Sequence, residues 1–336
     1  MIKILAFETS CDDTSVAIVN QDYTVDACLT SSQFVHNEYG GVVPEIASRL
    51  HLKNILPLTE AVLNRSGTQL KEIDAIAVSI NPGLIGSLLV GLSFAKGLAF
   101  SLRKPLIAIN HIVGHIAAVK LSKPNVEPPY LALIASGGHT ELVDFYSNSS
   151  FKIIGRTRDD AAGEAFDKTA KLLGLGYPGG PIIDKLARKG NPKFHRFPRG
   201  LNKKGEPDFS YSGLKTSIMN YLEANDNKFI EQNIENIAAS VQDAIIEPLI
   251  KKTLYFAKKL NRKQVLIAGG VSANSRLREQ FEKKTKPKNL KLLIPELKYC
   301  MDNAAMIGSA AVDKFINKDF SSLDINAFSK KGFRIL

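Results

Sequence analysis

Apolar and polar positions repeat in one plan along this chain of 336 residues. Residues 2–9 form an apolar run, residues 10–14 a short polar turn, and residues 15–19 a second apolar run, a pattern that predicts a β-hairpin. Across residues 42–64, Ile46, Leu50, Ile55, Leu58 and Val62 recur at helical spacing. Residues 73–80 make a buried-strand run that ends in Asn-Pro-Gly. A helix is predicted over about 87–102 and a strand over 106–109. The hairpin plan then recurs at 130–146, with Ser136-Gly137-Gly138-His139-Thr140 as its turn, and reads as an internal duplication. Residues 155–235 are polar, basic and rich in Gly and Pro, which predicts an insertion of short helices and loops. A helix over 234–260 follows, with Pro248 as a kink or break. Strands at 265–268 and 290–294 and helices at 275–284 and 302–316 complete the chain. Strands alternating with helices predict an α/β protein with a largely parallel core.

Charge adds one feature. The net charge is +11, with 32 Lys against 12 Arg. The excess fits an anionic partner such as nucleic acid, and it equally fits an AT-rich coding bias. Three cysteines, Cys11, Cys28 and Cys300, match neither a CxxC site nor a disulfide framework, so buried or inert thiols in a reducing compartment are expected. The N-terminus has no signal-peptide layout and no run of about 18 apolar residues occurs, so neither secretion nor a membrane span is expected.

Candidate chemistry concentrates in a few places. His111 and His115 stand four apart in His-Ile-Val-Gly-His; on a helix they share one face and can reach one cation. Position 112 is Ile, so the Glu of a zinc-peptidase HExxH motif is missing. Asp302 is a candidate third donor, and it is equally placed to cap the last helix; sequence distance does not choose between the two. Gly137 and Gly138 permit an anion to approach backbone N–H groups, or serve only a hairpin turn. The corresponding turn of the first half is acidic, with Asp12 and Asp13. Gly269-Gly-Val-Ser-Ala-Asn274, between a strand and a helix, can hold a nucleoside, as many such turns do not.

Taken in order, the segments FETSCDDTSVAIV, NPGLIGSLLVG, NHIVGHIAA, LIASGGHTELV, GEAFDKTAKLLGLGYPGGPIID, FSYSGLKT, IAGGVSANSRLR and CMDNAAMIG resemble the universal tRNA threonylcarbamoyladenosine transferase family, TsaD in bacteria, once labelled an endopeptidase. They span nearly the whole chain. Asp13 stands where the family often has Glu, and Met301 where it has a small polar residue.

The resemblance implies a duplicated, two-lobed ASKHA (actin/Hsp70/sugar-kinase) fold, with lobes at residues 1–125 and 126–336. It implies that His111, His115 and Asp302 ligate one divalent metal, Fe2+ first and Zn2+ second. It implies that Ile134, Ala135, Ser136, Gly137, Gly138, Asp167, Gly180, Asp184 and Asn274 surround threonylcarbamoyl-AMP, and that Asp12 assists transfer to the N6 amine of the adenosine 3′ to the anticodon (t6A formation) in tRNAs reading ANN codons. The implied partners are tRNA, TsaB through the N-terminal half, and the ATPase TsaE, in the cytoplasm. Three competing classes remain at this stage: an ASKHA kinase, which does not need the two histidines; a metallopeptidase, which lacks its Glu; and a TsaB-like scaffold, which lacks the metal site.

Overall fold

The computed structural model describes residues 1–147 and 150–329. It divides into two compact units. Unit 1 comprises Met1–Val126 together with the segment from Pro295 onward, and unit 2 comprises Glu127–Ile294.

In unit 1, β1 (Lys3–Glu8), β2 (Asp13–Asn20) and β3 (Val25–Ser32) form an antiparallel meander. The strands β4 (Ala75–Asn81) and β5 (Leu106–Asn110) add parallel to β1, giving the order β3-β2-β1-β4-β5. The sheet is therefore mixed, not largely parallel. The polar, half-exposed β3 lies at its edge, where alternation is weak. The central β1 is apolar throughout because both of its faces are covered. Leu5 and Phe7 point to one face, where α1 (Pro44–Ser66) and α2 (Ile85–Leu102) contribute Ile55, Val62, Leu92 and Ala95. Ile4 and Ala6 point to the other, where α10 (Ala304–Ile316), the last helix of the chain, supplies Ala304, Ala305, Ile307 and Ala311. The terminal segment, counted above with the second lobe, thus packs in unit 1, because its small residues match the small α10-facing positions Ala6, Ala17 and Ala77. The remaining helix, α3 (His111–Ala117), starts where β5 ends.

By length and apolar composition alone, α2 would suit a membrane span. Its buried positions Leu88, Leu92, Ala95 and Ala99 instead face the sheet, as in the core helix of a globular unit.

Unit 2 repeats the plan. Its strands β6 (Tyr130–Ala135), β7 (Thr140–Ser147), β8 (Ser150–Arg156), β9 (Gln264–Ala268) and β10 (Lys291–Leu293) run in the order β10-β9-β6-β7-β8, again an antiparallel meander extended by two parallel strands. The duplication therefore includes a third meander strand in each half. Between β8 and β9 lie α4 (Ala162–Leu172), α5 (Gly179–Ala187), α6 (Ser212–Glu223), α7 (Asn227–Gln232) and α8 (Ile234–Lys259), and α9 (Ser275–Thr285) follows β9. Pro248 does not break α8. The helix runs unbroken over 26 residues, with Ile237, Val241, Ile245 and Leu249 in the core. That burial outweighs the single hydrogen bond a proline removes.

The seat of α10 is tight. A Cβ added at Gly308 would stand 2.4 Å from Val19 Cγ2 and 3.3 Å from Ala6 Cβ. Gly308→Val is expected to lower unfolding stability by about 1–3 kcal/mol through overpacking, read as a drop in the urea midpoint; an unchanged midpoint would show that α10 is not held against β1 and β2.

A candidate metal centre and its surroundings

The three candidate ligands come together within unit 1. At the end of β5, Asn110 caps α3, its Oδ1 accepting from the backbone N–H groups of Ile112 (2.9 Å) and Val113 (3.2 Å). Neither histidine is needed as a cap, and His111 and His115 stand one turn apart with ring centroids 4.7 Å from each other. At the other wall Asn303, not Asp302, caps α10: its Oδ1 accepts from Met306 N at 3.0 Å. The hydroxyl of Ser15 accepts from Ala304 N at 2.9 Å. Asp302 points inward, its Oδ1 3.0 Å from His115 Nε2 and 3.5 Å from His111 Nε2. One donor atom from each residue lies within 4.8 Å of the others. Gly114, between the histidines, makes the approach possible, since a Cβ there would stand 2.8 Å from Ile307 Cδ1 of α10.

What surrounds the cluster fits a cation. Glu8, wholly buried at the end of β1, places Oε2 3.0 Å from His111 Nδ1 while its Oε1 accepts from Ser10 N at 2.6 Å. The Ser10 hydroxyl lies 3.1 Å from the same Nδ1. Such a carboxylate holds the proton on Nδ1 and turns Nε2 toward Asp302. His115 is buried, and both of its ring nitrogens lack a hydrogen bond, because the approach of Asp302 is not angled as one. An orphaned buried imidazole is costly, and a cation between it and Asp302 would relieve that cost at the nitrogen facing Asp302. Burial pulls the His111 pKa down, but Glu8 and Asp302 outweigh it and hold the ring at about 9 without a metal. The Asp13 carboxyl is pushed up to about 7, first by burial and then by Asp302, Asp12 and Glu8, against a lowering hydrogen bond from Ser32. This is a crowd of carboxylates that a divalent charge would relieve.

The acidic turn is buttressed from outside. His51 of α1 spans from the Cys11 carbonyl (2.9 Å) to the Thr14 hydroxyl (2.8 Å), and Leu84 N donates to Ser10 O at 2.8 Å. Asp12 sits half-buried on that turn. A cleft of about 520 Å³ runs beside β3 and reaches Asp302, with Asp13, Tyr299 and Met301 in its walls. Glu8, Ser10 and His51 escape a reading of the sequence. Only the placement of a carboxylate at the end of a buried strand hints at Glu8.

The remaining predicted residues gather in unit 2. Ile134 and Ala135 end β6, wholly buried. In the turn that follows, Ser136 N donates to His139 O (2.8 Å), and Gly137 and Gly138 are exposed with open space where a Cβ would stand. Helix α4 touches two parts of this region. Gly163 N donates to Ser136 O at 3.1 Å, and one turn later Asp167 Oδ1 accepts from Gly179 N at 2.7 Å, shaping the loop that carries Gly180. Asp184 of α5 accepts from Ser275 Oγ (2.8 Å) and pairs with Arg188 (3.0 Å). Beside Ser275, Asn274 caps α9 through Leu277 N (2.9 Å) and donates to Gln242 Oε1 (2.7 Å). Asp184 and Asn274 are thus neighbours, joined through Ser275.

Solved structures of similar fold include the (R)-2-hydroxyglutaryl-CoA dehydratase component A of Acidaminococcus fermentans, with a TM-score of 0.57 at 13% identity over 94% of this chain and 99% of that one. T. kodakarensis HypF gives 0.59 at 13% identity over 94% of this chain and 48% of its own. Fold and site together define an ASKHA-type fold with two histidines and one carboxylate close enough to hold a cation. Residues 24–309 match the family described as TsaD, tRNA N6-adenosine threonylcarbamoyltransferase. Relatives of that name from Kosmotoga olearia (51% identical, covering 97% of both chains) and Moorella thermoacetica (47% identical, 97% of this chain and 95% of the relative) match over 326 residues each. The chain belongs to the TsaD family, acyltransferases that form threonylcarbamoyladenosine in tRNA.

Two expectations meet in one titration. In the metal-free protein the raised His111 pKa contributes stability that is fully present below the ring's ordinary value of about 6.5 and is lost as pH rises through about 9. A metal must displace that proton, so Zn2+ affinity, measured by chelator competition, should climb from pH 6 to pH 9. Glu8→Gln should weaken Zn2+ binding by about 10–100-fold at pH 8. Wild-type affinity in that variant would show that Glu8 does not orient the ligand.

Proposed function

We propose that this chain carries out threonylcarbamoyl transfer at a centre formed by His111, His115 and Asp302 holding one divalent cation, Fe2+ first and Zn2+ second. The observation that carries the reading is His115, a buried imidazole with both nitrogens unbonded, facing Asp302 beside a histidine backed by Glu8. The bound cation would supply electrophilic anchoring and polarisation of the donor's carbamoyl group.

The donor is threonylcarbamoyl-AMP. Backbone groups from Ile134 to Gly138 receive its phosphate on aligned N–H dipoles. Asp167 shapes the loop that presents Gly180. Asp184 and Asn274, held in place by Ser275, Arg188 and Gln242, position the adenosine by hydrogen bonds. The acceptor is the N6 amine of the adenosine 3′ to the anticodon in tRNAs reading ANN codons. The amine adds to the carbamoyl carbon, the bond to AMP breaks, and the nitrogen gives up one proton. Asp12, on a turn braced by His51, orients the amine or takes that proton.

TsaB and TsaE are the proposed partners, and the cytoplasm, where tRNA is decoded, the proposed compartment. The surface offered to TsaB is the outer face of α1 and α2, where Leu52, Leu56, Ile85 and Leu89 are exposed, an apolar patch of the kind that marks an interface. Leu52→Asp with Leu89→Asp should abolish co-elution with TsaB in size exclusion while leaving the melting temperature in place; co-elution of the variant would move the interface elsewhere.

The activity test supplies radiolabelled threonine, bicarbonate, ATP, the donor-making enzyme, the partner proteins and unmodified tRNA. Label should enter tRNA with the wild type and fall by at least about 10³-fold with His111→Ala, as expected when a metal ligand that polarises the reacting group is lost. Equal labelling by the variant would remove the cluster from the reaction.

A further inference from the structure

Transfer chemistry leaves one prominent feature of unit 2 unused. Lys203, Lys204, Lys258, Lys259, Lys263 and Lys291 come from three separate stretches of sequence, and the fold brings those stretches next to one another. The loop carrying Lys203 and Lys204 is seated on α8: Lys252 Nζ donates to the carbonyls of Leu201 (2.8 Å) and Asp208, and a Cβ at Gly205 would stand 3.4 Å from the Tyr255 hydroxyl. Tyr255, Lys258 and Lys259 are three and four residues apart, hence on one helix face. At the end of α8, Arg262 N bonds back to Ala257 O (2.8 Å) and the chain turns into β9. There Lys291 N donates to Lys263 O at 2.9 Å, setting the starts of β9 and β10 side by side.

All six lysines are exposed, and among the described residues none is paired with a carboxylate. Of the nearby acids, Glu206 and Asp208 pair with Arg158, Asp144 with Arg262, and Glu247 with Arg199 and Lys251, while exposed Glu127 lies at the start of β9, its carbonyl accepting from Gln264 Nε2. From Tyr255 to Lys291 the row covers roughly 15–20 Å, by helix rise and strand spacing. Arg199, also in the basic insertion, behaves differently: it is largely buried between Asp243 and Glu247 and serves the fold. The charge-rich stretch 193–199 is thus partly structural, whereas the six lysines are exposed, with Lys259 resting over the Phe256 ring.

We propose that this row binds the sugar–phosphate backbone of the tRNA substrate, away from the nucleotide being modified. The proposal rests on the reading that the chain acts on tRNA. Flexible ammonium groups in a line suit phosphates, which fix the position of the RNA without reading its sequence.

The test measures binding of an unmodified tRNA transcript to the full chain with its partner proteins, by fluorescence anisotropy at several salt concentrations. Lys259→Ala/Lys263→Ala/Lys291→Ala should weaken binding by about tenfold or more at about 0.1 M salt and lower the slope of log affinity against log salt by roughly 2. The loss should be similar for different tRNAs. Zn2+ content should be unchanged, and Lys71→Ala/Lys96→Ala/Lys104→Ala in unit 1 should bind as the wild type does. Wild-type binding together with unchanged affinity and slope in the β9–β10 variant would overturn the row and leave the tRNA reading intact. Failure of the wild type itself to bind tRNA would overturn both. An equal loss in the unit 1 control would show bulk charge rather than a site and would also overturn the proposal. So would a row that is needed for anionic vesicles but not for tRNA.

Discussion

A carboxylate with no exposure to water must be answered by neighbours, and Glu8 is answered on both oxygens, by the backbone of Ser10 and by the ring of His111. Much of unit 1 can be read outward from that pair. A carboxyl group left unpartnered in an apolar core is costly, so the end of β1, the start of the acidic turn and the first residue of α3 have to stay in register. The parallel pairing of β1 with β4, and of β4 with β5, sets that register. A histidine at the end of β5 then meets a glutamate at the end of β1 across the intervening strand.

Close packing supplies the other half. Helix α3 approaches α10 because Gly114 carries no side chain at that contact, and α10 seats on the sheet because Gly308 faces Val19 and Ala6 and the sheet presents alanines toward it. Interiors packed to this density leave no slack for an added methyl group. The separation of the two imidazoles from Asp302 is therefore a packing result as much as an electrostatic one.

Several of these features were legible in the sequence. The two hairpins, the helical spacing of the histidines and the α/β alternation all stand in the structure where periodicity put them. The third strand of each meander was not legible, because β3 and β8 are edge strands with many polar, exposed positions. Pro248 suggested a break that core packing overrides. The choice between cap and ligand for Asp302 could not be made from spacing, since it turns on Asn303 being one residue closer to the helix. Glu8 lay inside an apolar run and looked like part of a strand, and its role is visible only once β5 delivers His111 to it. The candidate substrate residues came from the family resemblance and not from composition, and the structure adds that Asp184 and Asn274 are adjacent through Ser275.

The division of the chain has a consequence for its synthesis. Unit 1 needs α10 to cover one face of its sheet and Asp302 to complete its proposed ligand cluster, yet all of unit 2 is translated in between. On the ribosome the first five strands wait on the order of ten seconds or more for their last helix, with the apolar face of Ile4, Ala6, Ala17 and Val19 open to solvent. During that interval the nascent chain holds two histidines without their carboxylate. Under the proposed function, acquisition of the cation thereby follows translation of Asp302, and a chain stopped before it has no three-donor cluster in which to retain one.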